Sequence, residues 1–248
     1  MKKGREFSLE LLRVCAFALV IGLLALSIAS FFASGASAFS RSATRTLGGC
    51  PVFPANNVWN TDISHLSVSA NSANYLASIG LNGHLHPDFG SGLYDGAPIG
   101  IPYVVVPANQ SPVPVSFAYS DESDPGPYPV PRDAPVEGGS NSDGDRHVLI
   151  VARGSCKLYE MYASYPQKNG GWKADSGAVW NLNSNTLRPA TWTSADAAGL
   201  PILPGLISYD DIASGAINHA LRFTVSRTQN SFIWPARHAA SSSSNAQL

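Results

Sequence analysis

The sequence predicts a mostly β protein, an antiparallel β-sandwich or barrel with a few short helices, and three observations carry that reading. Charged residues make up only 13% of the chain while Gly (22) and Pro (18) are plentiful, which favours turns and short strands over long salt-bridged helices. Seven segments rich in β-branched and aromatic residues recur at 101–107, 113–119, 147–152, 157–162, 178–182, 217–225 and 231–234. Most are bounded by Gly, Pro, Asn or Asp, and little helical periodicity lies between them, which argues against a βαβ sheet.

Helical signals are few. Residues 71–79 place Ala, Tyr, Leu and Ile at roughly helical spacing and stop at Gly80. Thr193-Ser194-Ala195-Asp196 has the form of a capping box with Asp in place of Glu, and 209–213 reads as a last short helix ending at Ser214-Gly215. No internal repeat is visible.

The N-terminus reads as an export signal. Lys2, Lys3, Arg5 and Arg13 form a positive region, 14–32 is an uninterrupted apolar or small-residue run, and Ala36-Ser37-Ala38 supplies a small-x-small cleavage site. The run approaches the roughly 20 residues that span a bilayer, so an uncleaved anchor is the alternative, and a membrane would be a partner only through it. The domain organisation is then signal 1–38, flexible leader 39–49, one β-rich domain 50–238 and a Ser-rich, unpacked tail 239–248.

Removing 1–38 takes four basic and two acidic residues from totals of 16 and 17, leaving 12 against 15. That balance gives no electrostatic reason to expect nucleic acid or an anionic membrane as partner. Cys15 falls in the signal, so the exported chain keeps Cys50 and Cys156, for which one disulfide is the economical reading in an oxidising compartment.

A set of long strings covers nearly all of the exported chain: CPVFPANNVWNTDIS (50–64), LHPDFG (85–90), DESDPGPYP (121–129), GDRHVLIV (144–151), LYEMY (158–162), LRPATWTSADAAGLPILPGL (187–206), HALRFT (219–224) and WPARH (234–238). With them the sequence resembles a family of secreted bacterial and fungal proteins. The resemblance implies export and brings no activity, so no functional residue is carried over from it. Members of that family continue past WPARH into a basic strand and a helix, which implies that this chain is naturally short or that part of its core or site lies beyond residue 248.

Several constellations are candidates for chemistry. His84-x-His86-x-Asp88 has metal-like alternation, with a solvated turn as the alternative; it resembles in part the H-x-H-x-D-H string of metallo-β-lactamase-type hydrolases, with Phe89 where the last His would stand. Asp121-Glu122-x-Asp124 closes a strand ahead of a rigid Pro-Gly-Pro and offers acid/base groups or hard oxygen ligands for calcium; Asn141-x-Asp143-Gly144-Asp145 offers further oxygens without the rest of an EF-hand loop. Calcium or a transition metal is therefore compatible with the sequence, and none is firmly implied.

Arg146 and His147 open an apolar strand and are suited to orienting a carboxylate or a sugar hydroxyl. In 158–162, alternation puts Leu158, Glu160 and Tyr162 on one face, and if that face lines a cleft Glu160 is a carboxylate among aromatics whose pKa would rise. Asp196 is expected to cap a turn, Asp210 and Asp211 to start a helix, and His147, His219 and His238 to be either a buried or a proton-transfer set. There is no G-x-S-x-G elbow, Walker loop or dinucleotide fingerprint.

Five tryptophans and nine tyrosines in a weakly charged exported chain point to carbohydrate, whose C–H faces stack on flat rings while planar acceptors take its hydroxyls. The sequence therefore leads us to expect a secreted protein acting on extracellular polysaccharide or cell-wall glycan. As a glycoside hydrolase it would use Glu160 as acid and Asp121 or Glu122 as base or nucleophile, with His147, Arg146, Trp180, Trp192 and Tyr162 placing the substrate. The alternatives are a non-catalytic glycan-binding module, and a metal-dependent hydrolase built on His84, His86 and Asp88.

Overall fold

A computed structural model describes residues 45–84, 92–94, 96–225 and 228–243. The expected signal segment lies outside them. Within them the chain is mostly strands in antiparallel and mixed sheets, without a closed barrel and with two short helices.

The strands are β1 (Thr46–Leu47), β2 (Cys50–Pro51), β3 (Leu93–Tyr94), β4 (Ala97–Pro98), β5 (Tyr103–Val106), β6 (Val115–Phe117), β7 (Val148–Ala152), β8 (Lys157–Tyr162), β9 (Tyr165–Pro166), β10 (Trp172–Ala174) and β11 (Ser176–Asn181). Their centre is a four-stranded sheet in the order β11-β8-β7-β5. Its β7-β8 and β8-β11 pairings are antiparallel, with Leu149 opposite Glu160 and Glu160 opposite Ala178, while β5 joins β7 in parallel. A three-stranded sheet, β6-β10-β9, is also mixed: β10 pairs β6 in parallel and β9 antiparallel.

The alternation of β7 explains how the layers assemble. All five of its residues are buried, as expected for a strand covered on both faces. Val148, Ile150 and Ala152 point with Met161 toward Tyr128, Trp172 and Ala174, so the three-stranded sheet covers that face in the manner of a sandwich. Leu149 and Val151 point with Leu158, Ala178 and Trp180 to the opposite face. There the cover is irregular chain: Leu47, Val52, Phe53 and Trp59 from one side, and Ala195, Ile202 and Leu203 from the other. Each fully buried Leu, Ile or Val adds roughly 1.5–3 kcal/mol of transfer free energy.

Cys50 and Cys156 form the disulfide, with Cα atoms 5.3 Å apart and a sequence separation of 106. It pins β2 to the turn between β7 and β8. The leader expected at 39–49 therefore carries structure at its end, where β1 pairs with β2 and Leu47 is buried. In the tail, the Ser243 carbonyl accepts a hydrogen bond from the Asn230 N–H at 2.8 Å.

Helix α1 (Ser72–Ile79) falls where the spacing predicts it, and α2 (Tyr209–Ser214) ends on Gly215 in the left-handed conformation (φ 72°), which a glycine adopts without strain. The capping box belongs to Ser208 and Asp211 on α2. The box expected at Thr193–Asp196 opens no helix; the Ser194 hydroxyl instead donates within a turn, to the carbonyls of Asp196 and Leu200. Strands expected at 217–225 and 231–234 are likewise absent. In the first, the Ala220 N–H goes to the Trp59 carbonyl and the Arg222 N–H to the Gly205 carbonyl, single bonds to irregular chain in place of a ladder. No helix among the described residues is long and apolar enough to cross a membrane.

Candidate functional site

Glu160 stands on β8, facing the irregular cover, with no solvent exposure. Its carboxylate accepts hydrogen bonds from the Trp180 indole N–H (3.1 Å), the Ile202 N–H (3.0 Å) and the Leu203 N–H (2.8 Å). The two backbone donors open the 3-10 turn Leu203–Gly205, so one side chain satisfies amides that the turn itself leaves unpaired. Burial pushes the carboxyl pKa up to about 7, against the opposing pull of these three donors and of His147 nearby. Expected to border a cleft, Glu160 is enclosed because the 195–203 segment folds over its face of the sheet.

His147, at the mouth of β7, is buried and held at both nitrogens. Nδ1 lies 2.6 Å from a Glu137 oxygen and Nε2 lies 3.0 Å from the Ala195 carbonyl oxygen. A carbonyl and an ionised carboxylate accept, so this pair of partners favours the imidazolium, in which both ring nitrogens donate. Burial lowers its pKa, but the Glu137 hydrogen bond and charge, with the Ala195 carbonyl, outweigh burial and leave the pKa above its ordinary value. Glu137 responds in the opposite sense: burial would raise it, and the bonds and charge of His147 hold it below the usual carboxylate range. Beside this pair, Arg222 Nε donates to an Asp196 oxygen at 2.7 Å, while the other Asp196 oxygen accepts from the Ala198 N–H.

Around these groups one end of the sheets is stitched by backbone bonds. Ala163 N–H reaches the Asp145 carbonyl, Ser164 N–H that of Arg146, Asp175 N–H that of Tyr162, and Tyr119 N–H that of Asp175. The result gathers Tyr119, Tyr162 and Tyr165 with Asp145 and Asp175. The Tyr162 hydroxyl is raised in pKa by burial and by Asp145, Asp175 and the two neighbouring tyrosines. Its ring lies 5.7 Å from that of His147.

Tyr119 and Tyr165 are 52% and 47% exposed, so their rings are available to a partner. Arg146 supports this face from below. In a left-handed backbone conformation (φ 52°), it donates to the carbonyls of Ser164, Ser140 and Ser142, and its guanidinium lies 4.3 Å from the Tyr165 ring centroid.

The remaining expected residues fall into a second group. Asp121 and Glu122 lie on the 3-10 turn Ser120–Glu122, with Asp121 exposed. A Glu122 oxygen accepts from the Thr193 N–H at 2.9 Å and lies 3.9 Å from His238 Nε2. Arg188 organises this group: it pairs with Asp124 and donates to the Glu122 and Thr193 carbonyls, its guanidinium 5.8 and 5.4 Å from the rings of Trp180 and Trp192. Trp180 is thus buried between Arg188 and Glu160, and Trp192 is half-buried. Glu160 and Glu122 have separate partners, as do the histidines: His219 bonds to Ala220 and Arg45, and His238 to Ala197.

Sequence reasoning missed Glu137, Arg188 and Arg222. Lone charged residues in irregular chain carry no spacing signal; only the Gly-Gly after Glu137 hinted at a close approach. Of the metal set, His84 is exposed, and His86 and Asp88 lie outside the described residues. Among the described residues no three His, Cys, Asp or Glu side chains gather to hold a metal ion.

Compared with protein-family models, curated proteins and solved structures, the chain matches none. The fold and site define a disulfide-tied mixed-β protein with a tyrosine- and aspartate-lined end, compatible with an extracellular location.

Proposed function

We propose that this is a secreted protein that engages extracellular carbohydrate, polysaccharide or cell-wall glycan, through the tyrosine-lined end of its sheets, and that binding is the role the geometry supports best. The observation that carries the reading is the meeting of Tyr119, Tyr162 and Tyr165 with Asp145 and Asp175, above a buried Arg146 that holds the Tyr165 ring. Flat rings stack on sugar C–H faces and carboxylates accept sugar hydroxyls. A ring held in place before binding loses little freedom on binding, which favours affinity. The acidic groups here disfavour a polyanion such as nucleic acid.

Depletion of the protein from solution by a panel of insoluble polysaccharides is the test. Retention on one glycan class by the wild type, and loss of retention in Tyr165→Ala with folding intact, is the expected result. Equal retention of the two proteins would overturn it.

Glycosidic-bond cleavage is a second reading, which draws on the Glu160 carboxyl held near the range of a general acid and requires the 195–203 cover to open, because Glu160 has no solvent exposure. Glu122 or Asp121 would be its base or nucleophile, and His147 would tune the acid. Reducing-end release by the wild type that disappears in a folded Glu160→Gln variant supports it. Undiminished release in that variant removes Glu160 from the chemistry.

A further inference from the structure

Two carboxylates on the tyrosine face are uncommitted. Asp145 is exposed and Asp175 half-buried, and among the described residues neither side chain makes a hydrogen bond or an ion pair. Their backbones are fixed. The Asp145 carbonyl accepts from the Ala163 N–H at 2.9 Å, while Asp175 donates its N–H to the Tyr162 carbonyl at 2.9 Å and accepts from the Tyr119 N–H at 2.8 Å. Both carboxylates are therefore held beside Tyr162, whose hydroxyl feels their charge.

The cations at this end are engaged elsewhere. Arg146 is only 3% exposed, and its guanidinium is spent on three backbone carbonyls and on the Tyr165 ring. His147 is buried between Glu137 and the Ala195 carbonyl, with Asp145 a lesser contributor to its charge. Lys173 is exposed and lies opposite Tyr165 in the β9–β10 ladder, yet it pairs with neither aspartate.

We propose that the glycan taken by this face is an amino-sugar polymer with free, protonated amines. The inference rests on the carbohydrate reading of the tyrosine face and narrows its substrate class. A sugar ammonium supplies the partner that both carboxylates lack. Hydrogen bonds between an ammonium and a carboxylate are roughly twice as strong as neutral ones, and a cation is also attracted to a tyrosine face. A neutral sugar offers only hydroxyls, and an acidic sugar would set its own carboxylate against two like charges. The exposed rings of Tyr119 and Tyr165 take the apolar face of the sugar, so ring and amine are recognised by different groups of one site.

The test is calorimetric titration of the disulfide-bonded protein with glucosamine oligomers and with N-acetylglucosamine oligomers of equal length, in mildly acidic buffer where the free amines are charged. The glucosamine oligomers should bind about three- to tenfold more tightly, as two solvent-accessible ion pairs require, and the difference should shrink as salt is raised. An Asp145→Asn, Asp175→Asn double variant keeps the shape of both side chains and should bind the two oligomers alike. If that variant does not fold, the wild-type ratio and its salt dependence decide the matter. Equal affinities in the wild type, tighter binding of the acetylated oligomers, or a preference that persists in the folded double variant overturns the proposal and leaves the carbohydrate reading intact. Retention on a neutral polysaccharide without binding of glucosamine oligomers has the same meaning, whereas a folded wild type that binds no glycan overturns both.

Discussion

At the scale of the residue, Glu160 is a carboxyl whose burial changes its chemistry. Replacing it by Gln sets an amide NH2 against N–H groups that need acceptors, and the expected cost is about 1–3 kcal/mol. Its pH dependence has a definite sign. The folded carboxyl keeps its proton up to about pH 7, against an ordinary value of 4.5, so between these values the folded state binds the extra proton. Stability therefore falls as pH rises through that window, by about 3 kcal/mol from this group. Denaturant titrations at intervals between pH 4 and 8 should show that decline in the wild type and its loss in Glu160→Gln.

The Glu137–His147 pair behaves differently. The lowered Glu137 pKa contributes stability above 4.5 that is lost as pH falls through the folded value. The raised His147 pKa contributes stability below 6.5 that is lost as pH rises through the folded value. Glu137→Gln should cost about 2 kcal/mol near pH 5.5 and progressively less above neutrality. An equal cost at pH 5.5 and 8.5 would show that the pair does not carry charge.

At the scale of the element, strands that pair in long ladders were legible in the sequence and segments held by single bonds were not. β8 spans the expected 157–162, because its alternation of Leu158, Glu160 and Tyr162 against Tyr159 and Met161 matches two buried faces. The stretch 217–225 has the same β-branched and aromatic character, yet its backbone is spent on Trp59 and Gly205, a tertiary choice that local composition does not encode. The capping signal was displaced for a related reason. Ser194 satisfies its turn from the side chain, whereas Ser208 and Asp211 meet at a true helix start.

Gly177 on β11 shows how closely the two sheets approach. A Cβ there would lie 2.5 Å from the Phe117 ring and 2.8 Å from the Tyr128 hydroxyl. Gly177→Ala should therefore destabilise by about 1–3 kcal/mol, read as a shift in the denaturant midpoint with the slope retained.

At the scale of the whole molecule, the disulfide and the β-rich class were readable from composition and from the placement of three cysteines. Closing a loop of 106 residues restricts the unfolded chain, and Cys50→Ser with Cys156→Ser should cost about 4–5 kcal/mol in the chain-entropy account. The candidate site was only partly readable. Arg146, His147, Glu160 and Tyr162 sit near one another because β7 and β8 are consecutive and antiparallel, a local relation that sequence exposes. Glu137, Tyr119 and Asp175 reach the same end through long-range topology, which one sequence does not reveal.

The central claim is that the exposed tyrosine face holds carbohydrate. Its most direct test is a calorimetric titration of soluble fragments of the retained glycan into the wild type and into a Tyr119→Ala, Tyr165→Ala double variant of matched folding. Two stacked rings lost together should weaken binding by about 10- to 100-fold. An unchanged affinity in the folded double variant would contradict the claim.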